Sequence, residues 1–251
     1  MTLLIIGNQY ALNVVNDLRK IAPDPFFNID IGIIGGQVST EAQDEGFSSS
    51  VNVYGGGQVT YSGQVTYGAT NQSPSDFGSN LVFQLMNSTV PIAIRGENSN
   101  YNVRDPTKPQ LTMGDRAGII TFDTRFTKIP TLIEIVYDAT NFGGGGYWVV
   151  EKATGKATSM PTTCILIHEL GHAMLGLSGS IFTRIWRQVE SSVIADFENP
   201  HRAQTGLPAR DPENHSGGHG SPPMNMAPIS TPAGNTGTTN KGGGCWWTNP
   251  R

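Results

Sequence analysis

At 251 residues the chain is long enough to bury a sizeable core, as one large domain or two small ones. Its formal net charge of −4 leaves no basic footprint, which excludes nucleic acid as the default partner. Only 14% of residues are charged while Gly (31) and Pro (16) are abundant, so the composition is loop-rich and β-leaning.

The first residues, Met1 to Gly7, carry a short apolar run and no basic stretch, so a cleaved secretory signal is not expected. No later stretch approaches the roughly 18 apolar residues that a membrane span needs. The pattern from Tyr10 to Ile21 predicts a helix stopped by Pro23 and Pro25, and Asn28 to Ile34 then reads as a strand. Gln58-Val59-Thr60-Tyr61 recurs as Gln64-Val65-Thr66-Tyr67, and two copies flanking Ser62-Gly63 predict a hairpin. Signals from Asn71 to Asp115 are mixed: a strand over Val90 to Arg95, then a polar loop to Pro109. Ala117 to Phe122, Thr131 to Tyr137 and Tyr147 to Val150 are β-like, the last preceded by Gly143 to Gly146. Those glycines lead into a strand and lack a Lys-Ser/Thr ending, so they are a connection and not a phosphate loop.

A helix follows from about Met160 to Leu177, with Ser159 as a cap and Gly176 and Gly179 at its end. It contains His168-Glu169-Leu170-Gly171-His172, an H-E-x-x-H motif among apolar residues. Two imidazoles four residues apart point the same way one turn apart and can hold one zinc ion. Glu169, rotated by about 100°, lies beside the metal, where its carboxylate can take a proton from zinc-bound water. Burying His, Glu and His unsatisfied would cost several kcal/mol, so the metal reading outweighs that of a plain core helix. Cys164, one turn earlier, reads as a small buried residue, and Cys245 is too far along the chain to imply a disulfide framework.

Zinc hydrolases take three protein ligands and leave one position open. The third-histidine position of the metzincin pattern is Ser178, so Met224 and Met226 are ordinary residues. The remaining source is a carboxylate from a later helix. A helix over Ile181 to Ala195 and a short one starting at Pro200, capped by Asn199 and closed at Gly206, offer Glu190, Asp196, Glu198 and His201, with Asp211 and Glu213 beyond. Glu198 is the preferred third ligand, because at a helix start it can turn toward the first helix. Arg202, one turn on, would steady a ligand or polarise the substrate carbonyl. Tyr137 and Tyr147 are further candidate donors to an oxyanion. His215 and His219 lie in a tail rich in glycine, whose tryptophans Trp246 and Trp247 are expected to dock.

His168-Glu169-Leu170-Gly171-His172-Ala173, followed about 30 residues after His168 by Glu198-Asn199-x-x-Arg202-x-x-x-Gly206-Leu207-Pro208-x-Arg210, resembles the NleD-like bacterial effector zinc metallopeptidases. The likeness spans Leu132 to Arg210. It implies a zinc endopeptidase delivered by a bacterium into a host or target cell without a cleaved signal, acting on a protein or peptide substrate there. It does not extend to the kinase substrate of the best-known members.

The expected architecture is α+β and zincin-like: a mainly antiparallel twisted sheet on the H-E-x-x-H helix, with C-terminal helices below. Residues 1–115 form a β-rich first part, 116–214 the protease core and 215–251 a flexible tail. Thr131 to Tyr137 or Tyr147 to Val150 is expected to be an edge strand that binds substrate backbone. A monomer is expected. The competing readings are a zinc toxin acting on another amide bond, and a β-rich binding module exposing Tyr61, Tyr67, Trp246 and Trp247 around a structural metal.

Overall fold

The computed structural model describes residues 3–35, 60–68, 73–98, 117–123, 130–140, 146–219, 222 and 246–248. Strands β1 (Leu3–Gly7), β5 (Ile92–Gly96) and β7 (Leu132–Tyr137) run parallel at the centre of the main sheet. Antiparallel strands flank them: β4 (Thr60–Tyr67) against β1, and β6 (Gly118–Asp123) against β7. Beyond β4 lie β2 (Phe27–Ile29) and β3 (Gly32–Gly35); beyond β6 lies β11 (Trp246–Thr248), parallel to it. The class is α+β, as expected, and among the described residues the main sheet is mixed, its parallel centre flanked by antiparallel pairings. Strands on both sides of residue 115 share it. A second sheet orders β10 (Gly217–His219), β8 (Tyr147–Val150) and β9 (Ala157–Ser159), all antiparallel.

Alternate residues of the central strands face one side and form the core: Leu3 and Ile5, Ile92 and Ile94, Ile133, Ile135 and Tyr137, Ile120 and Phe122. That period of two makes one face of the sheet a continuous apolar surface. Helices α1 (Ala11–Ile21), α2 (Phe77–Met86) and α3 (Thr162–Leu177) belong to the same core. In α1, Val14, Val15, Leu18 and Ile21 are the buried stripe. In α3 every residue from Cys164 to Ala173 is buried, as befits a helix with no polar face to show to water. Tyr137 ties the two helices together, within hydrogen-bond distance of Asp17 Oδ2 (2.7 Å) and the Thr162 carbonyl (2.9 Å).

The hairpin expected at Ser62-Gly63 is absent, because β4 runs straight through it. A Cβ on Gly63 would lie 2.1 Å from the Asp30 carbonyl oxygen, so this glycine permits a close backbone approach and not a turn. The single strand expected from Asn28 to Ile34 is correspondingly broken into β2 and β3. Helix α2 was not legible from its sequence, although Asp76 caps it by accepting from the Ser79 N–H at 2.8 Å. Gln58 and Val59, most of the loop to Pro109, Gly143 to Gly145, Met224, Met226 and Cys245 lie outside the described residues.

After α3 a 3-10 turn (Ser180–Phe182) leads to α4 (Trp186–Val193), a π-helical turn (Ile194–Glu198) and α5 (Asn199–Gln204). The last three form one helical rod. Asn199 is therefore no cap: its side chain donates to the Arg210 carbonyl (2.9 Å) and accepts from the Arg210 N–H (2.7 Å), folding Leu207 to Arg210 back against the rod. Gly206, at φ +73°, makes that reversal.

Candidate metal centre

His168 and His172 project from the same face of α3 with their Nε2 atoms 3.2 Å apart. Glu190, from α4, faces both: its Oε2 is 3.3 Å from His168 Nε2 and its Oε1 is 2.8 Å from His172 Nε2. These three buried residues are the group that can hold a metal ion, and among the described residues no fourth His, Cys, Asp or Glu joins them. Separations of 2.8 to 3.3 Å approach the edge of about 3.3 Å that a tetrahedron has when ligands stand about 2.0–2.1 Å from zinc. Glu190 Oε1 makes no hydrogen bond despite its closeness to His172. Three ligand atoms this close to one another could hold a single ion. Burial works to raise the pKa of Glu190, but the adjacent imidazoles outweigh it and hold the carboxyl ionised, well below the usual carboxylate range.

Glu198, expected as the third ligand, is instead on the other side of His168. Its Oε2 lies 3.1 Å from His168 Nδ1 and accepts from Arg210 Nη1 at 2.8 Å, while its Oε1 is 3.5 Å from Arg202 Nη1. A carboxylate can only accept, so a neutral His168 with its proton on Nδ1 would satisfy Glu198 and leave the Nε2 lone pair for an ion on the side of Glu190 and His172. The fully buried Glu198 carboxyl is raised by desolvation but lowered by Arg210 first and then His168, with a net shift downward.

The π turn makes this double use of the rod possible. In an unbroken α-helix, positions 190 and 198 would differ by about 80° in direction. One extra residue of winding brings them to within about 20° of each other, so both carboxylates reach α3. The same turn places Phe197 over Gly171, where a Cβ would be 2.9 Å from the Phe197 ring. That contact explains the glycine in the middle of α3: a side chain from the rod occupies the space.

Glu169, about 100° around α3 from His168, lies against β6. Both carboxylate oxygens are buried without a hydrogen-bond partner, and a Cβ on Gly118 would stand 2.6 Å from Oε1. An ionisable group in that condition needs a polar partner that the described residues do not supply.

Arg202 is fully buried and donates away from the three ligands: Nε to the Pro208 carbonyl at 2.6 Å and Nη2 to the Ser159 carbonyl at 2.9 Å. Of its two expected roles, steadying a carboxylate is the one its position allows; polarising a substrate carbonyl is not. Tyr137 is in the core, its hydroxyl pushed well above its ordinary pKa by burial and then by Asp17, and Tyr147 packs over Gly217 in the small sheet. The Tyr137 hydroxyl is thus engaged within the core by Asp17 and the Thr162 carbonyl. Cys164 is a buried thiol pushed up to about 12 by burial and next by Glu198, so it stays protonated. Asp196 and Glu213 are exposed, Asp211 is half-buried, and His201 is buried apart from the ligand group. His215 lies beside Ser191 and the Pro212 carbonyl.

Neither expected edge strand is an edge. β7 lies between β5 and β6, and β8 between β9 and β10. The strand beside Glu169 is β6, and β11 pairs with its outer side, Trp246 opposite Ile119 and Thr248 opposite Thr121.

Three residues that matter here were not singled out by sequence reasoning. Glu190 was among the options, and its signal was an acid on the stripe formed by Val189, Val193 and Ile194, all buried. Arg210 had only its place in the motif. Trp186 stacks on His172, with planes 6° apart and centroids 5.7 Å apart, and no local pattern announces that contact. No family model matches the chain, and neither a curated protein nor a solved structure does so.

Proposed function

We propose that this chain is a zinc-dependent endopeptidase with a zincin-like core, in which His168, His172 and Glu190 hold the ion and Glu169 is the general base. The observation that carries the reading is the convergence of two Nε2 atoms and one carboxylate on a common point, with the partnerless Glu169 carboxylate on the adjoining helical position. Three ligands leave one position for water, as hydrolytic sites require and closed structural sites do not. Bound zinc supplies Lewis acidity, polarising a carbonyl and making water more acidic at neutral pH.

The chain's own groups do the rest. Glu169 accepts the proton of the attacking water and passes it to the leaving amine. Its burial against Gly118 fixes the carboxylate in one place and keeps bulk water away from it. Glu198, held between Arg210 and Arg202, fixes the tautomer and ring orientation of His168. Delivery by a bacterium into a host or target cell, and a protein substrate there, rest on the NleD-like pattern from His168 to Arg210.

The test compares the wild-type protein with Glu169→Gln. Both should contain stoichiometric zinc by elemental analysis, and only the wild type should generate new N-termini in a host-cell lysate followed by proteomics. Equal patterns of N-termini from the two proteins would remove the peptidase assignment.

A further inference from the structure

The metal ligands and Glu169 are buried, yet the residues beside them are not all so. Helix α4 starts at Trp186, one turn before Glu190 and on the same face, which is why the indole reaches His172. Trp186 is 37% exposed and the preceding Ile185 is 66% exposed. Among the described residues the exposed large hydrophobic side chains are Leu12, Phe26, Ile185 and Trp186. Two of the four are therefore neighbours in sequence, and one of them, Trp186, stacks on His172.

Helix chemistry does not account for this pair. Ile185 is the N-cap of α4 and makes no side-chain capping bond, at a position where Ser, Thr, Asp or Asn would add about 1 kcal/mol. Leaving a branched aliphatic in water there forgoes both capping and burial. Recognition through a bare strand edge is also not available beside Glu169, since β6 is paired on both sides over Ile119 to Thr121. Selectivity near the reacting bond then has to come from side chains, and these are apolar.

Resting on the peptidase reading above, we propose that Ile185 and Trp186 form an apolar platform that takes the side chain of the substrate residue next to the scissile bond, selecting large aliphatic or aromatic residues. An amphipathic ring held flat against a metal ligand offers contact area at little conformational cost. One face of the arrangement thus positions the metal and its continuation selects the substrate.

The probes are acetohydroxamate and the hydroxamates of N-acetylated alanine, leucine, phenylalanine and aspartate, titrated into the zinc-loaded full chain by calorimetry. The leucine and phenylalanine compounds should bind about tenfold or more tighter than acetohydroxamate, the size of effect that a few buried methylenes give. The aspartate compound should show no gain. Ile185→Ser, which supplies a capping hydroxyl and leaves the His172 stack in place, should keep zinc and acetohydroxamate affinity but lose most of the apolar gain. Trp186→Ala should lose the rest. An apolar gain missing from the wild type, or undiminished in both variants, overturns the platform while leaving the peptidase reading standing. Failure of the zinc-loaded wild type to bind any hydroxamate overturns the peptidase reading itself, and the platform with it.

Discussion

Glu190 and Glu198 are two buried carboxylates on one helical rod, each within 3.3 Å of a His168 ring nitrogen, yet they are built for different tasks. Glu190 faces the two imidazoles, its Oε1 2.8 Å from His172 Nε2 and its Oε2 3.3 Å from His168 Nε2. Glu198 is neutralised by Arg210 and Arg202 before it meets His168. A carboxylate that binds a metal must keep its electron pairs for the ion; one that braces a ligand must have its charge offset inside the protein. On the proposed reading, the arginines, more than the distance to histidine, distinguish ligand from brace.

The largest effect that sharpens this contrast is expected from Glu190→Ala, which should abolish stoichiometric zinc binding measured by elemental analysis after dialysis. If that variant retains zinc while Glu198→Ala loses it, the two roles are exchanged. Glu198→Gln keeps an acceptor for His168 but removes the charge, and should lower zinc affinity by about 10- to 100-fold, read by chelator competition. It should also lower the midpoint of thermal unfolding, since two buried guanidinium groups lose their counter-charge. Arg210→Met should fall at the mild end of that range, about tenfold, because Arg202 still faces Glu198. A Glu198→Gln protein with unchanged zinc affinity would leave the brace without function.

A third buried carboxylate gives the comparison its smallest test. Glu97 accepts from Asn8 Nδ2 at 2.9 Å; burial raises its pKa from 4.5 to about 7, Arg95 opposing and Glu134 adding to the rise. Because the folded value is the higher one, the folded state binds more protons between the two. The stabilisation is fully present below about pH 4.5 and is lost as pH rises through about 7. Glu97→Gln should flatten that part of the stability profile, by on the order of 3 kcal/mol at most for this shift. Denaturant unfolding of the two proteins at pH 4.5, 6 and 8 measures it; parallel profiles would show that Glu97 is not the titrating group.

Much of the scaffold was legible because it depends on local pattern. The α1 stripe, β6, β7, β8 and the H-E-x-x-H helix follow from periodicity over a few residues, and His168, Glu169 and His172 from one helical turn. Pairing was less legible. Ser62-Gly63 carries a turn signal, yet Gly63 serves a close approach by a chain segment that is distant in sequence. The tail strand β11 finds its partner β6 more than a hundred residues away, which no window of sequence contains.

For the site itself, the amino-acid sequence determined that two imidazoles and a carboxylate would stand on one turn of a buried helix, because that spacing is set by backbone geometry alone. It also placed several acids within reach of them. Which acid turns toward the ligand side was decided only in three dimensions, by a π turn that changes the phase of the rod and by two arginines that claim Glu198. Local spacing fixes a direction on one helix. The relative rotation of two helices, and the charges that surround each group once packed, exist only in the folded chain.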